Sequence, residues 1–363
     1  MTKIKNIEFL RTFLIIAIVF HHMFINRSWC LCQIVPNNAF YAFMKSHIAF
    51  SYNAVEGFFI IAGFLLVWTF KNSLSVKNFI IKKYIRLSPV IIFSLIICLI
   101  GTILGAFHFN IIANLLTALL LNQFVADIAI GQNPILWFTS VLFAALLIYF
   151  CILKFAPKDF QKPLITFLFI MSYALLEILQ HGGFNKPLKN YDFILNIGFL
   201  RGMGGIGLGC LIGEFFKSRQ DKFNSFEPPA AQEIMLTVLE AVTLGVVVWW
   251  LCFPHIKYNN ILFVFWFTIL FGLFIIKKGY ISKLLDKDIW VFLGKYQYSM
   301  YVVHYVIIKI FGIVLWQKNL VWVLYHPVLP VIIMLLTIMT VTAFSYHCVE
   351  KPCAEYLKEK FIK

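Results

Sequence analysis

The chain is a succession of apolar runs, most of them about 20 residues long, separated by short polar or basic stretches. Runs of that length cross a bilayer as helices. Ten spans are predicted: 7–26, 54–71, 88–108, 135–153, 163–180, 192–215, 234–253, 261–277, 289–312 and 328–348. A further apolar stretch, 111–126, is broken by Asn114, Asn122 and Gln123 and followed by Asp127. Counting it as a span would invert every later loop, so a re-entrant or interfacial helix on the outer side is expected there. The predicted fold class is all-α integral membrane, and residues 1–363 read as one polytopic domain with no soluble domain appended.

Composition sharpens this. At 61% hydrophobic and 13% charged, the chain is too apolar for a soluble domain, which carries about a quarter charged residues. The net charge of +15 would suit a nucleic-acid partner if it were clustered on one soluble face. Instead, twenty-one of the 31 Lys and Arg residues fall on the side of the N-terminus and only six on the other. That asymmetry obeys the positive-inside rule and places both termini in the cytoplasm. It is a topology signal, not a nucleic-acid signal. The eight cysteines make no metal or disulfide framework; only Cys30 and Cys32, in an outer loop, are spaced to allow a disulfide. The first run lacks a small-residue cleavage site and is expected to stay attached.

The chemistry begins in "RTFLIIAIVFHH", Arg11 to His22. Ionisable side chains within a span are costly and need compensation. At about 100° per residue, Arg11 and His22 share one helix face, roughly 16 Å apart along the axis. His21 points elsewhere, and Glu8, three residues before Arg11, can pair with it. A snorkelling arginine and a histidine bonded to a neighbour would explain the pair, and so would a polar track through the bundle. Glu56 lies at the outer end of the second run, level with His22, where a carboxylate can orient an imidazole. Gly57 and Gly63 suggest close helix packing. Lys82, Lys83 and Arg86 anchor the inner face and also have the spacing to clamp phosphates. Tyr298, Ser299, Tyr301 and His304 carry polar groups into the ninth span. "GMGGIG", Gly202 to Gly207, matches a dinucleotide pattern, but within a span it reads as packing, with Gly205, Gly209 and Gly213 four apart. Arg201 beside it is a further buried cation, expected to face the same cavity as Arg11.

These residues resemble, in order along the chain, the membrane-bound acyltransferase 3 family. The resemblance rests on Arg11 and His22 with Glu8 before them, "VEGFFIIAGFLL" with Glu56, "RLSP" with Arg86 and Pro89, "LWFTSVLF" from Leu136, "YSMYVVH", and the closing "VEKP" from Val349. The chain departs from the family pattern in three places: Lys83 stands where a second arginine is common, Ala62 where a serine is usual, and Leu142 and Phe143 near a frequent glutamate.

The resemblance implies an integral-membrane O-acyltransferase of a bacterial inner membrane. Its donor would be cytoplasmic acyl-CoA, with acetyl-CoA expected, and its acceptor a hydroxyl of a cell-surface or lipid-linked polysaccharide. Membrane lipids surround it; neither nucleic acid nor a metal is expected. Donor phosphates are expected at Arg11, Lys82, Lys83 and Arg86, with the thioester near His22. His22, oriented by Glu56, would act as general base, or would carry the acyl group covalently between half-reactions. Tyr301 or His304 would hold the oxyanion or orient the acceptor. The rival class is a transporter or flippase, since buried Arg, Glu and His also mark proton relays; no inverted repeat is apparent.

Overall fold

The computed structural model describes residues 4–25, 31, 38–48, 50–124, 131–180, 184, 196–253, 260–317 and 326–361. Cys30 and Cys32, and the outer basic residues Arg27, Lys186, Lys189, Lys257 and Lys318, lie outside them. Among the described residues, nine helices are long and apolar enough to cross a membrane, and Asn260–Ile276 is a shorter apolar helix of 17 residues. The helices that build the bundle are α1 (Lys5–Ile25), α2 (Ala54–Trp68), α3 (Val76–Ile103), α4 (Ile111–Ala118), α5 (Trp137–Phe155), α6 (Lys158–Gln180), α7 (Ile197–Lys217), α8 (Ala230–Cys252), α9 (Asn260–Ile276), α10 (Gln297–Gln317) and α11 (Val328–Phe344). The chain is an all-α integral membrane protein.

Several boundaries differ from the sequence reading, each for a local reason. The third span was expected from residue 88, but α3 starts at Val76 and takes in the basic stretch. Ser75 caps it, its hydroxyl accepting the Asn78 N–H at 3.1 Å, which satisfies one of the free amides of the first turn. Pro89 is absorbed within the helix. The ninth span, expected over 289–312, is broken. A short helix, Asp288–Leu293, ends before Gly294, and α10 starts at Gln297, which leaves Lys295 outside it. The Gly294 backbone passes so close to the Glu8 carboxylate that a Cβ would collide with it. The last span continues past Phe344 as a π turn, Ser345–Glu350, and then as an α-helix, Lys351–Phe361. Pro352 is the second residue past the π turn; it has no N–H to return to Cys348 and its ring crowds that carbonyl, which favours the wider turn.

The stretch at 111–126 does not cross. Helix α4 has 8 residues, about 12 Å, and stops where Leu120 adopts φ 60°. It packs along α3: the Tyr84 hydroxyl donates to the Ala118 carbonyl at 3.1 Å, while Asn114 bonds Gln132 at 2.7 Å and Gln132 bonds Thr102 at 2.6 Å. Tyr84 and Thr102 lie far apart on α3, so these contacts tie the described residues of the segment to much of that helix.

The bundle is assembled around α2 and α7, the most extensively packed pair. Their backbones touch in both directions. A Cβ on Gly63 would run into the Ile206 carbonyl, and one on Gly209 into the Ile60 carbonyl. Gly202, Gly204 and Gly207 of the same helix seat Val141, Tyr173 and Tyr149, so the glycine-rich stretch is a packing surface on three sides. Helix α1 lies inside, between α2 and α10. Helices α6 and α8 are peripheral, only 22% and 28% buried against 72% for the span holding α2; their exposed Phe167, Ile170, Val238 and Trp249 suit lipid.

Because backbone oxygens cannot swing away as side chains do, Gly63→Leu and Gly209→Leu are each expected to cost about 3 kcal/mol or more, at or above the usual range for overpacking. Thermal unfolding in detergent checks this: both should lower Tm sharply, whereas Gly245→Leu, where a Cβ meets open space, should change it little.

Candidate functional site

Among the described residues, the predicted polar side chains fall into three groupings, one at the inner end of α1 and two further along the bundle. The first is at the inner end of α1. Arg11 Nη1 contacts both Glu8 carboxylate oxygens, at 3.1 and 3.2 Å, one helical turn apart as the sequence spacing requires. The Gln297 carboxamide ties this pair to the start of α10, donating to the Glu8 carbonyl at 3.1 Å and to the Thr12 hydroxyl at 2.7 Å. Arg86 is exposed and close enough to Arg11, Lys83, Tyr298 and Glu350 for its charge to act on each. Glu350, on the π turn, accepts from the Ser299 hydroxyl at 2.6 Å. Lys83 is half-buried, its ammonium 5.4 Å from the Phe79 ring centre, and Lys82 is exposed. Arg11, Lys83 and Arg86 thus gather into one cationic cluster, the inner vestibule, at this end of the bundle, with Glu8 and Glu350 as counter-charges.

The second grouping is a pair of imidazoles between α1 and α10. His304 Nε2 is 3.1 Å from His22 Nδ1, and the ring centres are 5.1 Å apart. His22 Nδ1 also lies 3.1 Å from the Ile18 carbonyl, and His304 Nδ1 lies 3.0 Å from that of Met300. Tyr305 closes the other side edge-on, at 5.7 Å. His304 is fully buried and His22 partly so. His21 faces away and bonds the Ile48 carbonyl at 3.3 Å, fixing α1 to the chain that enters α2.

The third grouping contains Glu56, and it corrects the expectation that Glu56 orients His22. Glu56 is instead paired with Arg201: Nε to Oε1 is 2.5 Å, with the side chains 2% and 0% exposed. Tyr173 donates to the other carboxylate oxygen at 3.1 Å. Arg201 also donates to the Phe184 carbonyl at 2.7 Å and lies over the Trp137 ring, 5.3 Å from its centre. Arg201 therefore belongs to this node and does not share the vestibule of Arg11. Tyr301 is likewise committed, its single proton donated to the Ile135 carbonyl at 2.5 Å, which leaves it no donor for an oxyanion. Of the predicted residues, the structure brings His22 together with His304, and Arg11 with Arg86 and Lys83; Glu56 stands apart from both sets, and Tyr301, its ring 5.9 Å from that of His304, turns its hydroxyl to Ile135 instead.

Sequence reading missed the roles of Gln297, Glu350 and Tyr173. Glu350 had a signal, since it lies in "VEKP" beside a proline. Gln297 and Tyr173 had none, because nothing in their neighbourhoods announces a partner more than a hundred residues away. Asn53 is also buried, with neither carboxamide atom bonded among the described residues; it sits one turn before Gly57, which packs on Leu14 of α1.

A family model described as an acyltransferase domain matches residues 4–347, which takes in all three groupings except the last residues of the π turn. The chain belongs to the acyltransferase 3 family. No curated protein and no solved structure matches it. In this membrane acyltransferase, Arg201 and Tyr173 of separate helices thus meet on Glu56, and the histidines of the first and tenth helices meet each other.

Removing one partner of a buried ion pair leaves an uncompensated charge and costs about 3–5 kcal/mol. Arg201→Met and Glu56→Gln should each lower Tm in detergent strongly. Their combination should be less destabilised than the sum of the two, a coupling read from the double-mutant cycle.

Proposed function

We propose that this protein transfers an acyl group, acetyl as the expected case, from cytoplasmic acyl-CoA to a hydroxyl of a cell-surface or lipid-linked polysaccharide, working in a bacterial inner membrane with His22 as general base. The observation that carries this reading is the layout of α1. One face holds Arg11 at a cation-rich inner vestibule and, three turns on, His22, whose Nε2 has no hydrogen-bond partner among the described residues. Arg86, Lys83, Lys82 and Arg11 supply charge for the donor's phosphates, Arg86 and Arg11 as planar forks and the lysines as point charges. A pantetheine arm is long and thin enough to carry a thioester from such a vestibule toward His22.

In the reaction, His22 removes the proton of the acceptor hydroxyl as that oxygen attacks the thioester carbonyl. The tetrahedral intermediate collapses, the carbon–sulfur bond breaks, and the proton passes to the departing thiolate. A neutral imidazole suits this because its unprotonated nitrogen can take the hydroxyl proton and then return it. The committed hydroxyl of Tyr301 argues against its stabilising the oxyanion.

The test is direct. Purified protein in lipid nanodiscs is given labelled acetyl-CoA and a bacterial cell-envelope fraction as acceptor. Label should move to glycan in the wild type, and His22→Ala should lower turnover about 10²–10⁴-fold, the usual contribution of a general base, with an unchanged Tm. Arg86→Ala should instead raise the donor KM about tenfold or more, as expected for loss of a charge-assisted contact. Wild-type transfer by His22→Ala would overturn the mechanism. Intact thioester in the presence of active protein would point to transport instead.

A further inference from the structure

The imidazole pair carries more information than its distances, because hydrogen-bond acceptors dictate where protons sit. His304 Nδ1 is 3.0 Å from the Met300 carbonyl, and a carbonyl only accepts. His304 Nδ1 therefore bears hydrogen. Neither ring has a carboxylate partner among the described residues, since Glu56 is bound to Arg201 and Tyr173, and an unpaired cation buried among membrane helices is costly. His304 is accordingly neutral, and its Nε2 presents a lone pair. That lone pair faces His22 Nδ1 at 3.1 Å, as does the Ile18 carbonyl at 3.1 Å. Both neighbours of His22 Nδ1 are acceptors. A proton on that nitrogen satisfies them, whereas a lone pair there would face two others at contact distance. His22 must then carry its proton on Nδ1 and keep Nε2 basic.

We propose that His304 is the positioning residue of this acyltransferase: by accepting from His22 Nδ1–H it selects the tautomer in which His22 Nε2 is the base. The inference rests on His22 being that base and adds what makes it one. A carboxylate does this in serine-hydrolase triads, where the wrong tautomer costs about 10⁴-fold; here a neutral imidazole, itself set by Met300, takes that place. When His22 Nε2 gains the acceptor's proton, the imidazolium donates a stronger bond to His304 Nε2, which steadies the charge where it forms. The relay ends there. The Met300 carbonyl can hold a hydrogen bond but cannot pass a proton on, so the pair stores a proton during one turnover and does not conduct protons across the membrane.

Three variants and one spectrum test this. A glutamine at 304 can offer its carboxamide oxygen to His22 near the place of Nε2, so His304→Gln should keep turnover within about threefold of wild type. His304→Phe fills the space without an acceptor and should lose about 10²-fold, the lower end of the range for a general base, because the Ile18 carbonyl still favours the productive tautomer. The KM for acetyl-CoA should not move in either. Nitrogen-15 spectra of histidine-labelled protein in nanodiscs, with His22→Ala assigning the resonance, should show His22 protonated at Nδ1 in the wild type and in His304→Gln, and a mixture of tautomers in His304→Phe. Wild-type turnover in His304→Phe, or a His22 protonated at Nε2 in the wild type, would overturn the inference. If His22→Ala itself transfers normally, the general-base reading fails and this inference with it. If His22→Ala is inactive and His304→Phe is not, only this inference fails.

Discussion

A charge stays inside a bundle of membrane helices only where another group neutralises or binds it, and the outer half of this molecule is assembled on one such pair. Glu56 and Arg201 are fully buried, and their bond draws in Tyr173 from α6, the Phe184 carbonyl and the ring of Trp137 from α5. Further along the same two helices, α2 and α7 meet backbone to backbone at Gly63 and Gly209. The two features need each other. Glycine contact brings the helices close enough for a short ion pair, and the ion pair fixes which residues come opposite the glycines.

With Glu56 engaged there, the chemistry falls to groups that need no buried carboxylate. The inner vestibule balances Arg11 with Glu8 and places Glu350 near Arg86, so its charge is partly compensated before any ligand arrives. Each imidazole of the pair sets its Nδ1 against a carbonyl of its own helix. Helix α1 therefore carries a charged pair at one end of a face and a histidine three turns on, the layout that the proposed donor, anionic at its phosphates and neutral at its thioester, would fit.

Much of this was legible in the sequence, and the limits are physical. Unbroken apolar runs gave the helices, because they reflect transfer of single segments into lipid. The shared face of Arg11 and His22 followed from helical periodicity alone. Pairings between helices did not. Glu56 and His22 lie at the same membrane level, and level was the only coordinate available, so they were matched; the actual partner, Arg201, was 145 residues away. Tyr301 and His304 were treated as alternatives because they share a helix face, yet one ends on a backbone carbonyl of the Pro134–Leu136 turn and the other on an imidazole of α1. Boundaries failed where a close approach set them: the break at Gly294 exists because Glu8, nearly three hundred residues earlier, needs the room.

The π turn at Ser345–Glu350 has a consequence for the end of the chain. Relative to an α-helix it holds one surplus residue, which turns everything after it by about 100° about the helix axis. That offset is what brings Glu350 round to Ser299 and Arg86 while the tail helix, Lys351–Phe361, keeps its lysines in water. Deletion of a single residue here would leave the hydrophobic length of the span almost untouched, yet it would rephase the tail and swing the carboxylate out of the vestibule. The helix end thus works as an angular setting, and its length and its orientation can vary independently.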